Sequence, residues 1–334
     1  MLFTQRETHG NVDLARALNQ AFAALGVPVT NGNIYFVVPA ADPTYQQFEK
    51  SFNKTYLDGS KMLHTTVAAA YAATVSGRND IIALAANAEH TLTAMLDVTK
   101  NRVNFVGLGA LRRYGQGAKI ALAVSTGATN VFTMKNTGVR NSFTNIKFIN
   151  GCTVAQGIYC VGEGGEFTVY DHCEFYKSTD LDTESAEVVQ NGDSAQFRDC
   201  TFGSLVDEVS DNIIRPGVLV TREIITGKVC RDSEFIRCLF WRKAGGTEAS
   251  MVYGTGATAV ERMLLFEDCY FINAKLSAAT VAAAINLATA LTEGQVLVTG
   301  SSTALNCTKL ATQTGIFTSL QAIDDTPHTA VQAS

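Results

Sequence analysis

The sequence is poor in charge, in proline and in runs of any one kind. Charged residues make up 17 % of the chain and proline occurs 5 times in 334 residues. No Lys/Arg run exists and the net charge is −5, which argues against an extended basic face for a phosphate backbone and so against a nucleic-acid partner. No Pro-rich stretch marks a linker. The first ten residues, MLFTQRETHG, have no basic start followed by an apolar stretch, so no secretory leader is expected. The longest weakly polar run, Ala278 to Leu291, contains Thr280, Asn286 and Thr289, and is too short and too polar to cross a bilayer. No membrane partner is expected, and synthesis in the cytoplasm is. No CxxC pair occurs among the 8 cysteines, which removes zinc-ribbon spacing. Without an export signal, reduced and buried thiols are expected rather than a disulfide framework, although the spacing leaves open whether Cys152 and Cys160 pair.

What the chain does have is hydrophobic residues, 46 % of the total, and an internal repeat. Five segments follow one pattern of aromatic, two mostly polar residues, Cys or Ile, any residue, then Phe. They run Phe143 to Phe148, Tyr170 to Phe175, Phe197 to Phe202, Phe235 to Phe240 and Phe266 to Phe271. The fourth positions are Ile146, Cys173, Cys200, Cys238 and Cys269, at steps of 27, 27, 38 and 31 residues. Helical periodicity is missing inside the units. Short strand-like runs precede the bends instead, such as Gly165 to Val169, Ser194 to Phe197 and Arg262 to Phe266.

A strand, a two-residue polar bend and a second strand make one corner of a solenoid coil. Asn145, Asp199 and Asp268 hold the second bend position, where Asn and Asp tolerate left-handed backbone angles. Residues two apart on a strand point to one side. The fourth and sixth positions therefore predict two internal ladders. One is Ile146, Cys173, Cys200, Cys238 and Cys269; the other is Phe148, Phe175, Phe202, Phe240 and Phe271. The longer steps imply insertions, placed at 203–216 and 244–258. The expected fold class is mainly β: a parallel β-helix with a small helical N-terminal region and a C-terminal cap.

The ends of a solenoid need covers. Leu63 to Val75 reads as a small-residue helix stopped by Gly77, and Ala278 to Leu291 as a second one. Near the start, Val12, Ala15, Leu18, Phe22 and Leu25 lie on one helical face, Asn33 to Pro39 reads as a strand, and Asp42-Pro43 as a helix start before Tyr45, Phe48 and Phe52. The expected organisation is a head at 1–60, a β-helix at 61–275 and a cap or oligomerisation segment at 276–334.

A capping helix followed by Asn-Asp-Ile-Ile and by strands ending in Val-x-Phe-x-Gly resembles the right-handed β-helices of the pectate lyase-like superfamily. Members that cleave polysaccharides use stacked acids, with calcium or as acid–base pairs. The acids available here are Asp171, Asp199 and Asp268, with Glu174 and Glu267 beside them. Asp171 occupies the first bend position and the other two the second, and Arg237 stands in the coil between Asp199 and Asp268. A stacked calcium site is therefore not expected. His172 next to Asp171 could orient a base, and Trp241 could stack on a sugar ring. His64, His90 and His328 lack metal-ligand spacing, and the glycines of Gly107-Leu-Gly and Gly162-Glu-Gly-Gly lack the context of a phosphate loop. No catalytic residue, metal or cofactor is assigned. Asp171, His172, Asp199 and Trp241 remain as candidates for a carbohydrate contact.

The segments Val75 to Leu84, Thr99 to Leu108 and Val296 to Ser301 resemble β-helical virion proteins of environmental tailed bacteriophages. That resemblance implies a capsid decoration or cement protein on the virion exterior. Its implied partners are itself, as a homotrimer, and the major capsid protein or other virion proteins. A trimeric tailspike that binds or cleaves host polysaccharide, and a free polysaccharide lyase or hydrolase, are the competing expectations.

Overall fold

A computed structural model of the protein describes residues 32–86, 88–110, 117–122, 132–152, 159–177, 185–203, 216–243, 250–274, 281–311 and 316–318. The chain is a right-handed parallel β-helix. It winds through three parallel sheets of 11, 8 and 8 strands. One coil shows the rule. Val169–Asp171 lies in the first sheet, Glu174–Lys177 in the second and Ala186–Gln190 in the third. Gln196–Arg198 then returns to the first sheet and pairs with Val169–Asp171.

A single residue turns the chain from the first sheet to the second. Asn145, His172, Asp199, Arg237 and Asp268 hold it with φ of 56, 52, 50, 52 and 53°. The second bend position is thus left-handed in every repeat, including the two where the side chain is His or Arg. Left-handed backbone is costly outside Gly, Asn and Asp, so the coil geometry, not local preference, fixes the angle at His172 and Arg237.

Register does the rest. Phe143, Tyr170, Phe197, Phe235 and Phe266 sit on one another in the first sheet. Their ring centroids are 4.8, 4.7, 4.6 and 5.0 Å apart in nearly parallel planes. Phe148, Phe175, Phe202, Phe240 and Phe271 form a second stack at 5.7, 5.0, 4.7 and 4.8 Å. Edge-to-face contacts knit the two stacks together, such as Phe197 to Phe202 at 5.7 Å. Between them runs the column Ile146, Cys173, Cys200, Cys238 and Cys269, each at most 1 % exposed. Each thiol donates to the carbonyl of the aromatic residue one coil back: Cys173 to Phe143 at 3.3 Å, Cys200 to Tyr170 at 3.5 Å, Cys238 to Phe197 at 3.4 Å and Cys269 to Phe235 at 3.2 Å. All eight cysteines are buried and free, Cys152 and Cys160 included.

The helix Val67–Ala73 covers the N-terminal end of the core. Thr66 caps it by accepting from the Ala69 N–H at 3.2 Å, Val67 and Ala70 are buried, and the Tyr71 ring stacks on Phe105. Lys100 Nζ caps its other end, donating to the carbonyls of Tyr71, Ala72 and Thr74 at 2.7, 3.0 and 2.7 Å. This helix is shorter than the expected Leu63 to Val75, because Leu63–His64 is an edge strand of the first sheet. The second helix, Tyr45–Phe52, packs on the outer face of the first sheet, with Phe52 stacked on Phe36 at 4.1 Å. It starts later than expected. Thr44 precedes it, and Asp42 accepts from the Thr44 N–H and hydroxyl instead of capping.

Two expectations are overturned. The small-residue run expected to be a helix is a strand of the third sheet over Val281–Leu287, paired on both sides, while 278–280 lie outside the described residues. Alanine's helical preference is a weak local prior, and a column that buries Val281, Ala283, Ala284, Ile285 and Leu287 outweighs it. The insertion expected at 244–258 is likewise interrupted by the strand Val252–Gly254. The sheets also run across both expected boundaries. Ile34–Val37 pairs with Ile81–Leu84 in the first sheet, and the strands from Val281 onward continue all three sheets to Thr318. The helical face from Val12 to Leu25 and most of 203–216 lie outside the described residues.

Two substitutions test the ladders. Phe197→Ala removes a ring stacked on both sides and should cost about 3–5 kcal/mol in a urea unfolding measurement. Cys200→Asp places an unpaired charge in a dry column and should leave no soluble folded protein; a soluble Cys200→Asp variant with the normal melting temperature would refute the column.

Candidate functional site

The bend between the first and second sheets gathers most of the candidates. Tyr170 points inward, so Asp171 points outward. The following residue, His172, places its Nδ1 3.0 Å from Asp171 Oδ1. One coil on, Asp199 comes beside them: Asp171, His172 and Asp199 each offer a ligand-type atom, all within 4.8 Å of one another. The two aspartates are therefore brought together although they hold different bend positions. Arg237, one coil further, donates from Nε and Nη2 to the two Asp199 oxygens at 3.0 and 2.6 Å.

The cluster neutralises itself. The hydrogen bond to Asp171 raises the His172 pKa against partial burial, with the charges of Asp171 and Asp199 adding and Arg237 opposing. With His172 protonated, its ring on Asp171 and the Arg237 guanidinium on Asp199 make four alternating charges on partly exposed side chains. A divalent cation would have to displace Arg237 from Asp199, so the donor set fits an ion-pair network better than a metal centre. The His172–Asp171 pair has the form of an oriented base. Among the described residues, no hydroxyl or thiol is hydrogen-bonded to that imidazole.

Two of the other candidate acids are engaged too. Glu174 pairs with Lys147 at 2.9 Å, and Asp268 Oδ1 accepts from the Ser301 N–H at 2.7 Å. Trp241 lies apart from the cluster. Phe240 and Arg242 on its strand are buried inward, which puts Trp241 on the outer face of the second sheet beside Ile272.

Three ionisable groups inside the solenoid were not singled out from the sequence. Glu163 is fully buried at the end of Tyr159–Glu163. It accepts from Tyr170 OH at 2.6 Å, Gly165 N–H at 2.6 Å, Asn136 Nδ2 at 2.9 Å and Thr168 Oγ1 at 3.2 Å. Burial pushes its pKa up to about 7 against these donors. Glu187 and Arg242 form a buried two-point ion pair across coils, with Arg242 Nη1 donating to Glu187 Oε1 at 2.7 Å. Burial raises the Glu187 pKa, and Arg242 opposes it. The signal was present in the alternation: Glu163 follows Val161, and Arg242 follows Phe240, at inward positions.

The glycine motifs serve packing. A Cβ on Gly165 would stand 2.4 Å from the Gly138 carbonyl, and one on Gly107 2.0 Å from that of Asn145. His90 is buried and held neutral, its pKa lowered to about 4 by burial. The His64 ring Nε2 bonds to the Lys61 carbonyl, and His328 lies outside the described residues.

This architecture defines the class: the chain has the right-handed parallel β-helix fold of pectate lyase-like proteins. No protein-family profile matches the sequence. None of the curated proteins matches it either. Solved structures do. The pectate lyase Pel9A aligns over 93 % of this chain and 79 % of its own, with a TM-score of 0.58 and 11 % identity. The deglycosylated pectin methylesterase of Aspergillus niger aligns over 85 % and 83 %, at 0.53 and 12 %. ORF18 of Geobacillus virus E2 aligns over 92 % of this chain and 59 % of its own, at 0.50 and 14 %. At these identities the likeness establishes the fold alone.

Two measurements follow from the charges. Glu163 has a folded pKa above its ordinary 4.5, so between pH 4.5 and about 7 the folded chain holds a proton that the unfolded chain has lost. Its contribution to stability is present below 4.5 and is lost as pH rises through that window. His90 works oppositely between about 4 and 6.5, where the unfolded chain takes up a proton that the folded chain refuses. Subtracting the pH–stability curve of Glu163→Gln from that of the wild type should cancel His90 and leave a fall toward neutral pH; a flat difference would show that Glu163 does not titrate there. Arg242→Ala strands a buried carboxylate and should cost about 3–5 kcal/mol by chemical denaturation. Arg237→Ala should cost within about 1 kcal/mol, because its pair is exposed.

Proposed function

We propose that this chain is a structural protein of a tailed-bacteriophage virion, a capsid decoration or cement protein that works through protein–protein contacts. The observation that carries this reading is the state of the outer acids. Asp171, Asp199, Glu174 and Asp268 are each held by a neighbour, Asp171 by the adjacent His172 and the other three by a group one coil away. Three of these four carboxylates join one coil to the next and the fourth orients a neighbouring ring. The continuous double stack of rings makes a stiff rod, which suits a component that must survive outside the cell. The likeness to a viral open reading frame over most of this chain agrees with that use of the fold.

A second reading has one observation in its favour. Asp171, His172, Asp199 and Arg237 form a polar cluster on the outer wall, and two of the similar structures are a pectate lyase and a pectin methylesterase. Under that reading the chain is a tailspike or free enzyme that binds or cleaves polysaccharide, with Trp241 a candidate platform.

Electron cryo-microscopy of particles carrying the protein decides between them. Rods distributed over the shell, together with no sugar released from pectin or from host capsule by the purified protein, are the expected result. Density confined to the tail, or sugar release that His172→Ala and Asp199→Asn abolish, would replace decoration with the second reading.

A further inference from the structure

The corner between the third and first sheets is a ridge. One left-handed residue stands there in each of five successive coils: Arg102, Arg140, Phe167, Ser194 and Asp232, with φ of 55, 58, 55, 54 and 43°. Phe167 is the anomaly. Left-handed backbone is unfavourable for a bulky side chain, and the ring is 52 % exposed, so the chain's own core returns little for it. The position is held firmly on both sides. Arg140 N–H donates to the Glu166 carbonyl at 2.7 Å and Phe167 N–H to that of Asp193 at 2.9 Å. The Arg140 guanidinium stands 5.7 Å from the Phe167 ring centre. An exposed, preorganised aromatic beside an arginine has the composition of an interface anchor.

Charge is uneven along this ridge. Arg102 and Arg140 are exposed, and among the described residues no carboxylate lies within ion-pair range of either. On the far side of Phe167 the balance reverses. Four carboxylates, Asp193, Asp232, Glu261 and Glu293, share three guanidiniums, those of Arg222, Arg231 and Arg262. Glu166 is taken by Lys228 at 3.4 Å.

We propose that the ridge is a self-complementary docking strip on which a second copy of this chain packs antiparallel, about a twofold axis between the coils of Phe167 and Ser194. Such an axis exchanges coils at equal distances on either side of it. Arg140 then faces Asp232 of the second copy, Arg102 faces its Glu261, and each Phe167 faces Ser194 of the other copy, so that the two rings lie one coil apart on either side of the axis. A second copy is favoured because one strip carries unbalanced charge of both signs, at opposite ends. A partner of one sign would satisfy only half of it. The inference is independent of any place in a virion, since the dimer is measured in solution.

Sedimentation equilibrium on the full chain at low and high salt tests it. The wild type should be a dimer whose dissociation constant rises about tenfold or more with salt. Phe167→Asn relieves the left-handed position, so it should melt no lower than the wild type while dimerising at least about tenfold more weakly. Arg140→Glu should weaken the dimer similarly, and the exchange Arg140→Glu with Asp232→Arg should restore it. A wild type that is monomeric or trimeric at every concentration would overturn the proposal. So would a Phe167→Asn variant that dimerises as well as the wild type, or a charge exchange that restores nothing.

Discussion

Like must sit on like in a parallel solenoid. Successive coils lie about 4.8 Å apart, so each inward position meets the same position of the next coil at contact distance. An aromatic ring at such a position packs best on a neighbour that is also flat and parallel, and the ends of the stacks rest on aliphatic residues instead, Phe148 on Ile120 and Phe266 on Val298. The planes of Tyr170 and Phe197 differ by 3° and those of Phe197 and Phe235 by 2°. Once that stack is set, the bend residue, the thiol column and the second ring stack have fixed places. The thiols fit because sulfur is small, apolar and a weak donor, and the carbonyl of the previous coil is at hand.

This constraint explains what could be read from the sequence. The aromatic–x–x–Cys–x–Phe repeat is the footprint of the coils, so the Ile/Cys and Phe columns and the bends at Asn145, Asp199 and Asp268 were legible from residue types and spacing, whereas the left-handed angles at His172 and Arg237 and the stack of leading aromatics were not. Val281–Leu287 was not, because its small residues carry no periodic signal and its conformation is decided by the strands above and below it. The cluster at Asp171, His172 and Asp199 was legible as residues but not as a group. Its members hold different bend positions, and only the climb of one coil brings Asp199 to Asp171. Glu163 and the Glu187–Arg242 pair were hidden for a related reason: a polar residue at an inward strand position looks like a break in the pattern until its partners are seen.

The polar groups fall into two populations with different physics. Outer pairs such as Asp199 with Arg237 are half-exposed and serve mainly to tie coil to coil. Inner groups such as Glu163 and Glu187 are buried and hydrogen-bonded, and their protonation is coupled to the fold itself.

The corners of the cross-section differ in one further respect. The first and second sheets are joined by a single left-handed residue or little more, from Thr144 to Ile146 and from Asp171 to Glu174. Between the second and third sheets the chain has room: Lys177 to Ala186 in one coil, Phe202 to Val218 in another, Arg242 to Val252 in a third. One edge of the rod is therefore frozen in length and another is open to variation. For protein engineering this makes the molecule a graduated rail, on which foreign peptides inserted at the open edge would be displayed at fixed heights without disturbing the winding.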